Sequence, residues 1–84
     1  MPITIRYFAS VREALGEGET FDAAGATPTV GEVLAQLQAR SAIHAEVLDP
    51  ARGLRAARNL AFCQPDEHVA DGDELAFFPP VTGG

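Results

Sequence analysis

The sequence contains no lysine. Its 6 basic residues are all arginines, set against 12 aspartates and glutamates, for a formal net charge of −6. A surface this acidic repels a phosphate backbone, so nucleic-acid binding is disfavoured. It suits a partner protein with a basic docking face, or it serves solubility alone, and net charge does not separate the two. The single cysteine, Cys63, has no mate for an internal disulfide. No apolar run approaches the roughly 20 residues needed to span a bilayer, and the opening residues lack the charged and apolar regions of a signal peptide. These absences predict a cytoplasmic chain with neither membrane nor nucleic acid as partner. His44, Cys63 and His68 lack the paired spacing of a zinc site, so no metal is expected. Gly16-Glu17-Gly18 lacks the third glycine of a dinucleotide loop.

What remains is ordinary for a globular domain: 46% hydrophobic and 21% charged residues in a chain of 84. A chain of this size forms one domain and buries a little over 60% of its unfolded surface, roughly. That leaves little room for an enclosed active site, so function is expected on a surface or at a terminus.

Ile3 to Ala9 alternates and is rich in β-branched and aromatic residues, which predicts a strand with Ile3, Ile5 and Tyr7 inward and Thr4, Arg6 and Phe8 outward. Ser10-Val11-Arg12-Glu13 reads as a capping box opening a short helix over 10–15, which Gly16 can end. A weaker strand follows at 19–23 with Phe21 inward. Thr29-Val30-Gly31-Glu32 is a second capping box. Val30, Val33, Leu34 and Leu37 then fall on one face of the main helix, over 30–40. Residues 42–53, with Asp49-Pro50 and Gly53, read as irregular loop. Residues 54–63 suit two strands with a turn at Asn59-Leu60, but their period is too poor to assign faces. After the turn signal Asp71-Gly72-Asp73, the last strand places Leu75 and Phe77 on one face and Glu74, Ala76 and Phe78 on the other. Pro79-Pro80 ends it.

Strands grouped around one long helix predict an α+β chain with a mixed sheet of about four to five strands on one main helix, best fitted by the β-grasp. The expected domain is 1–78, followed by an extended, flexible tail over 79–84.

That tail, Pro79-Pro80-Val81-Thr82-Gly83-Gly84, is built as a reaching arm. The prolines favour an extended exit from the sheet, and the arm reaches at most about 20 Å. Gly83 and Gly84 carry no Cβ, so they can thread a narrow channel and leave a terminal carbonyl unhindered. Adenylation by ATP would turn the Gly84 carboxylate into an electrophile. A sulfur donor displacing AMP would then leave a thiocarboxylate, a good sulfur nucleophile. This chemistry requires Gly84 to be the C-terminus. Against it stands a frayed tail: with glycine at about 7% usage, Gly-Gly ends roughly 0.5% of chains by chance.

The run Asp71-Gly72-Asp73-Glu74-Leu75-Ala76-Phe77-Phe78-Pro79-Pro80-Val81-Thr82-Gly83-Gly84 closely resembles the end of molybdopterin synthase small subunits, the ubiquitin-like sulfur carriers. The resemblance includes the opening Ile5 to Leu15, with Arg12-Glu13 after the first strand, and is weakest over 42–68. Thiamine sulfur carriers share the Gly-Gly but generally lack the Phe-Phe-Pro-Pro lead-in. The resemblance implies a ubiquitin-like fold with Gly84 adenylated by an ATP-dependent activating enzyme and sulfurated by a sulfurtransferase system. It implies no cofactor bound by the chain itself. The carrier would dock on the large catalytic subunit, two small subunits flanking a large-subunit dimer, and pass sulfur to cyclic pyranopterin monophosphate to build the molybdopterin dithiolene. The chain would be the sulfur-donating subunit of a transferase and no enzyme alone.

Outward-facing Phe8 and Phe78 make a candidate docking face, and Phe62 aligns near a third apolar surface position of that family. Cys63 reads as a small buried apolar residue rather than a sulfur relay. A carrier for another pathway, a protein modifier joined through Gly84 to target lysines, and a binding module with an inert tail remain open alternatives.

Overall fold

The computed structural model describes residues 1–80. The alternation at the start translates directly into burial. Strand β1 (Ile3–Tyr7) seals Ile3, Ile5 and Tyr7 inside and leaves Thr4 and Arg6 exposed. Helix α1 (Ala9–Leu15), strand β2 (Gly18–Phe21), helix α2 (Val30–Gln38), helix α3 (Ala42–Val47) and strands β3 (Arg55–Arg58), β4 (Ala61–Phe62) and β5 (Glu74–Phe78) follow. They build one sheet in the order β2-β1-β5-β3-β4. The central pair, β1 and β5, is parallel, with Thr4 beside Glu74 and Tyr7 beside Phe77. The other pairings are antiparallel. Val33 and Leu37 of α2 share a core with Ile3, Ile5, Tyr7, Leu75 and Phe77 of the central strands. A mixed five-stranded sheet of this order wrapped on one main helix is the β-grasp.

Helix α2 starts where its sequence signal lies. The Thr29 hydroxyl accepts from the Glu32 amide (3.1 Å), and the Glu32 carboxylate accepts from the Thr29 amide (2.8 Å). Val30, Val33 and Leu37 are buried along one face, and the helix stops at Gln38, short of the predicted 40.

Two expectations fail. Ser10 caps nothing: α1 opens at Ala9, one residue earlier than predicted, and its N-cap is Phe8, which makes no side-chain cap; the Phe8 carbonyl receives the Arg12 amide. The chain turns sharply there through Ala9 at φ 54, so Ser10 already lies inside the helix. Residues 42–53 are also not irregular. They form α3 and a 3-10 turn over Pro50–Arg52. Ser41 caps α3 by accepting the His44 amide, and Leu48 behind the helix is fully buried.

A polar clamp ties α3 and the end of α2 to β2. Tyr7, whose ring is in the core, donates its hydroxyl to Glu19 Oε2 (2.6 Å). Arg40 reaches Glu19 Oε1 and the Thr20 carbonyl. His44 Nε2 lies 2.8 Å from Glu19 Oε2, and its Nδ1 lies 2.7 Å from Ser41 Oγ. Partial burial pushes the Glu19 carboxyl up, but the hydrogen bonds from Tyr7, His44 and Arg40 together outweigh burial and hold it below the usual carboxylate range. Burial, then the bond to Glu19, pushes the Tyr7 phenol upward.

A depressed carboxylate binds fewer protons folded than unfolded. Its stabilisation is therefore complete above the unfolded value, about 4.3 for glutamate, and is lost as pH falls through the lower folded value. Glu19→Gln should accordingly flatten the acid limb of the stability curve. Urea melts across that range test this, and equal acid losses in both proteins would show that the clamp contributes nothing.

Candidate functional site

The outward face of the sheet is set by register. Arg6 lies beside Ala76, Ala76 beside Ala57, and Ala57 beside Phe62. Phe78 lies beside Arg55. The two alanines form a low floor, and larger apolar side chains stand around it. The result is a shallow depression of about 390 Å³ lined by Phe8, Ala57, Leu60, Phe62, Glu74, Ala76 and Phe78. Phe8 is 42% exposed, Phe62 77% and Leu60 90%. Phe78 is half-buried, its ring tilted against Phe62 with centroids 5.8 Å apart. Phe8 sits just past the end of β1 rather than within it. Its backbone is still extended (φ −131, ψ 157), and its amide donates to the Phe77 carbonyl (3.2 Å). The structure thus brings Phe8, Phe62 and Phe78 to one exposed apolar patch, the type of surface that marks a binding site.

Sequence reasoning missed Leu60. It occupies the second position of a two-residue hairpin turn with Asn59, at φ 71 and φ 48 respectively. Such turns favour Asn and Gly. Asn59 is suited to it and is pinned: its Oδ1 accepts from the Glu74 amide (2.9 Å), and its Nδ2 donates to Asp73 Oδ1 (3.1 Å). Leucine in this backbone costs about 1–2 kcal/mol while contributing no burial. The available signal was an apolar residue at a turn tip, beside an apolar strand residue. Leu60→Gly should leave folding stability unchanged to within about 1 kcal/mol, because relief of the left-handed strain offsets glycine's larger unfolded-state entropy. It should weaken partner binding. Thermal melts and titrations on the same variant check both, and a lower Tm with unchanged affinity would assign Leu60 to the fold instead.

The root of the tail adjoins this patch. Pro79 and Pro80 continue directly from Phe78 and are half-buried. Gly53, at φ +80, stands against Pro80: a Cβ built on it would lie 3.1 Å from Pro80 Cγ. The tail residues Val81, Thr82, Gly83 and Gly84 lie outside the described residues.

The remaining candidates are dispersed. His44 belongs to the Glu19 clamp. His68 Nδ1 lies 2.7 Å from the Thr27 carbonyl. Cys63 is only half-buried, and burial, then Glu67, pushes its thiol up and away from the reactive thiolate. No group of side chains able to hold a metal occurs among the described residues, and no helix among them is long and apolar enough to cross a membrane.

Comparison with known proteins agrees with the architecture. The molybdopterin synthase sulfur carrier subunit of Escherichia coli (strain K12) is 42% identical over 82 residues, covering 98% of this chain and 99% of its own. Small archaeal modifier protein 3 of Haloferax volcanii is 30% identical over 92 residues, covering 100% of both. The crystal structure of SAMP1 from Haloferax volcanii matches with a TM-score of 0.76 at 30% identity, covering 100% of both chains. A model described as the ThiS family matches residues 5–84. The chain belongs to the ThiS family.

Proposed function

We propose that this chain is the sulfur-carrier subunit of molybdopterin synthase. The observation that carries the reading is the position of the tail root. Phe78 is part of the exposed apolar patch, and Pro79-Pro80 leave the sheet from that same residue. A partner that covers Phe8, Phe62, Phe78 and Leu60 therefore lies where residues 79–84 begin. Docking and delivery of the terminus become one event, and identity of 42% along nearly the whole chain to a protein of that name supports the assignment.

In this reading the chain divides at 78 into a β-grasp body and a reactive arm. An activating enzyme uses ATP: the Gly84 carboxylate attacks the α-phosphate, pyrophosphate leaves, and an acyl-adenylate remains. A sulfurtransferase system supplies sulfur at the sulfide level, which attacks the acyl carbon; AMP departs, and Gly84 becomes a thiocarboxylate. Pro79 and Pro80 hold the arm extended, and Val81, Thr82 and Gly83 enter the active site of the large subunit. There the thiocarboxylate sulfur bonds to a carbon of cyclic pyranopterin monophosphate, displacing oxygen, and water cleaves the resulting thioester, which leaves the sulfur on the pterin and returns Gly84 to a carboxylate. A dithiolene holds two sulfur atoms and each carrier delivers one, so each product consumes two thiocarboxylated carriers; the assembly is a heterotetramer of two small and two large subunits. The carrier itself binds no cofactor. Positioning of the pterin and exclusion of water fall to the large subunit, since effective molarity requires both reactants to be held.

A second reading has a specific observation behind it. The 30% identical relative is named a modifier protein, and a modifier would join Gly84 to lysines of other proteins. Mass spectrometry of the chain from its native cell separates the two. Replacement of one terminal oxygen by sulfur supports the carrier, a Gly84 remnant on foreign lysines supports the modifier, and an exclusively unmodified terminus speaks against both.

A further inference from the structure

Behind the docking patch, around the edge of the sheet, runs a cleft of about 570 Å³ between α2 and β3. Its walls are mainly apolar, with Leu34 and Ala35 from α2, Leu54 and Ala56 from around β3, and Cys63 and Pro65 after β4, joined by the polar Gln38 and Gln64. Two of its lining residues belong to features already described. Phe62 lines both this cleft and the patch, and Pro80 is the root of the tail. At the seam stands Arg55. Among the described residues the other five arginines are each paired with an acid: Arg6 with Glu74, Arg12 with Glu17, Arg40 with Glu19, Arg52 with Glu46 and Arg58 with Asp73. Arg55 is exposed, lines the cleft and has no such partner among those residues.

We propose that this cleft is a second socket for the partner that covers the patch, occupied by a segment of that partner that is apolar and carries a carboxylate directed at Arg55. The inference rests on the sulfur-carrier reading, with the large synthase subunit as the partner. Continuity supports it: a protein that covers Phe62 and takes up the chain beyond Pro80 must pass over the residues between them, and those residues line the cleft. Charge supports it too. The chain as a whole has a net charge of −6, yet the seam presents a guanidinium with no acidic partner among the described residues, so the matching surface is acidic at this point. That is the reverse of the basic docking face that an acidic chain would suit on net charge alone. Arg55 supplies orientation and the apolar walls supply contact area.

Cys63 is the only cysteine of the chain, which makes it a built-in reporter of occupancy. The test measures alkylation of Cys63 by iodoacetamide at alkaline pH, with and without the large subunit. Affinities are measured in parallel for wild type, Ala35→Arg, Arg55→Glu and Phe8→Asp. Ala35 and Arg55 are exposed, so these variants should melt as wild type does. The expected result is alkylation slowed at least about tenfold by the partner and affinity lowered about tenfold or more by both cleft variants. If wild type binds and Phe8→Asp does not, while Cys63 reacts at its free rate in the complex and the cleft variants bind normally, the cleft proposal is overturned and the carrier reading stands. Failure of wild type to bind overturns both. Slow alkylation of the free chain that is relieved by removing residues 81–84 would show that the chain's own tail fills the cleft, and would also overturn the proposal.

Discussion

Deleting Gly84, or adding a single residue after it, is expected to abolish sulfur transfer while leaving the thermal melt unchanged. The proposed chemistry needs a carboxyl group at the tip of the arm. An added residue moves that carboxyl beyond the reach set by the last strand, by about 3.5 Å, and can replace an unhindered glycine carbonyl with a substituted one. A deletion withdraws it by the same distance. Reacting groups must be aligned to within a fraction of that displacement, and smaller misplacements already cost about 100-fold. The fold should not respond, because every buried core residue among the described residues lies between Ile3 and Phe77. Synthesis of molybdopterin by purified large subunit and thiocarboxylated carrier is the measurement. Full activity from an extended chain whose added residue is shown by mass to be still present would sink the idea.

The second large effect separates two adjacent phenylalanines. Phe77 points into the core and is 1% exposed, beside Tyr7 of β1. Phe78 points to the opposite face, half-buried, against Phe62. Phe77→Ala should cost about 3–5 kcal/mol of stability, a large part of the 5–15 kcal/mol, roughly, that holds a domain folded. Phe78→Ala should cost far less stability and instead weaken binding of the large subunit by about 2 kcal/mol or more, as loss of an interface anchor does. Urea melts and binding titrations on both proteins decide it. A Phe78→Ala chain that melts early but binds normally once folded would place that ring in the service of the core.

These contrasts were legible in the sequence because strand alternation is rigid. Once Leu75 is inward, Phe77 must be inward and Phe78 outward. The same logic found β1, and the Thr29-x-x-Glu32 signal found α2, because both rest on local chemistry. Elsewhere the local signals were insufficient. Ser10-x-x-Glu13 has the letters of a cap, but where the chain leaves β1 is set by pairing with β5, which placed the turn at Ala9. Helix α3 is only six residues long and buries no side chain of its own, so periodicity had nothing to register; its anchor, Leu48, comes after it. The faces around β4 were unreadable because two residues carry no period. They are fixed by Ala57, which lies opposite Phe62. The Arg55 seam was equally hidden, since the lack of a counter-ion among the described residues is a fact of three dimensions.

The parallel pairing of β1 with β5 also bears on how the chain comes to be folded. It couples Thr4 to Glu74 and Tyr7 to Phe77, so the two central strands come from opposite ends of the domain. Contacts of such long sequence separation must close a large loop before they stabilise anything, which raises the kinetic barrier. A fragment ending before Glu74 has Ile3, Ile5 and Tyr7 with no strand beside them on one side, and β3 with no link to β1. Partial chains of this protein are therefore expected to remain open and accessible to proteases. Only a chain that has been made through its final strand, whose end leads straight into Pro79-Pro80, acquires the protection of the native state.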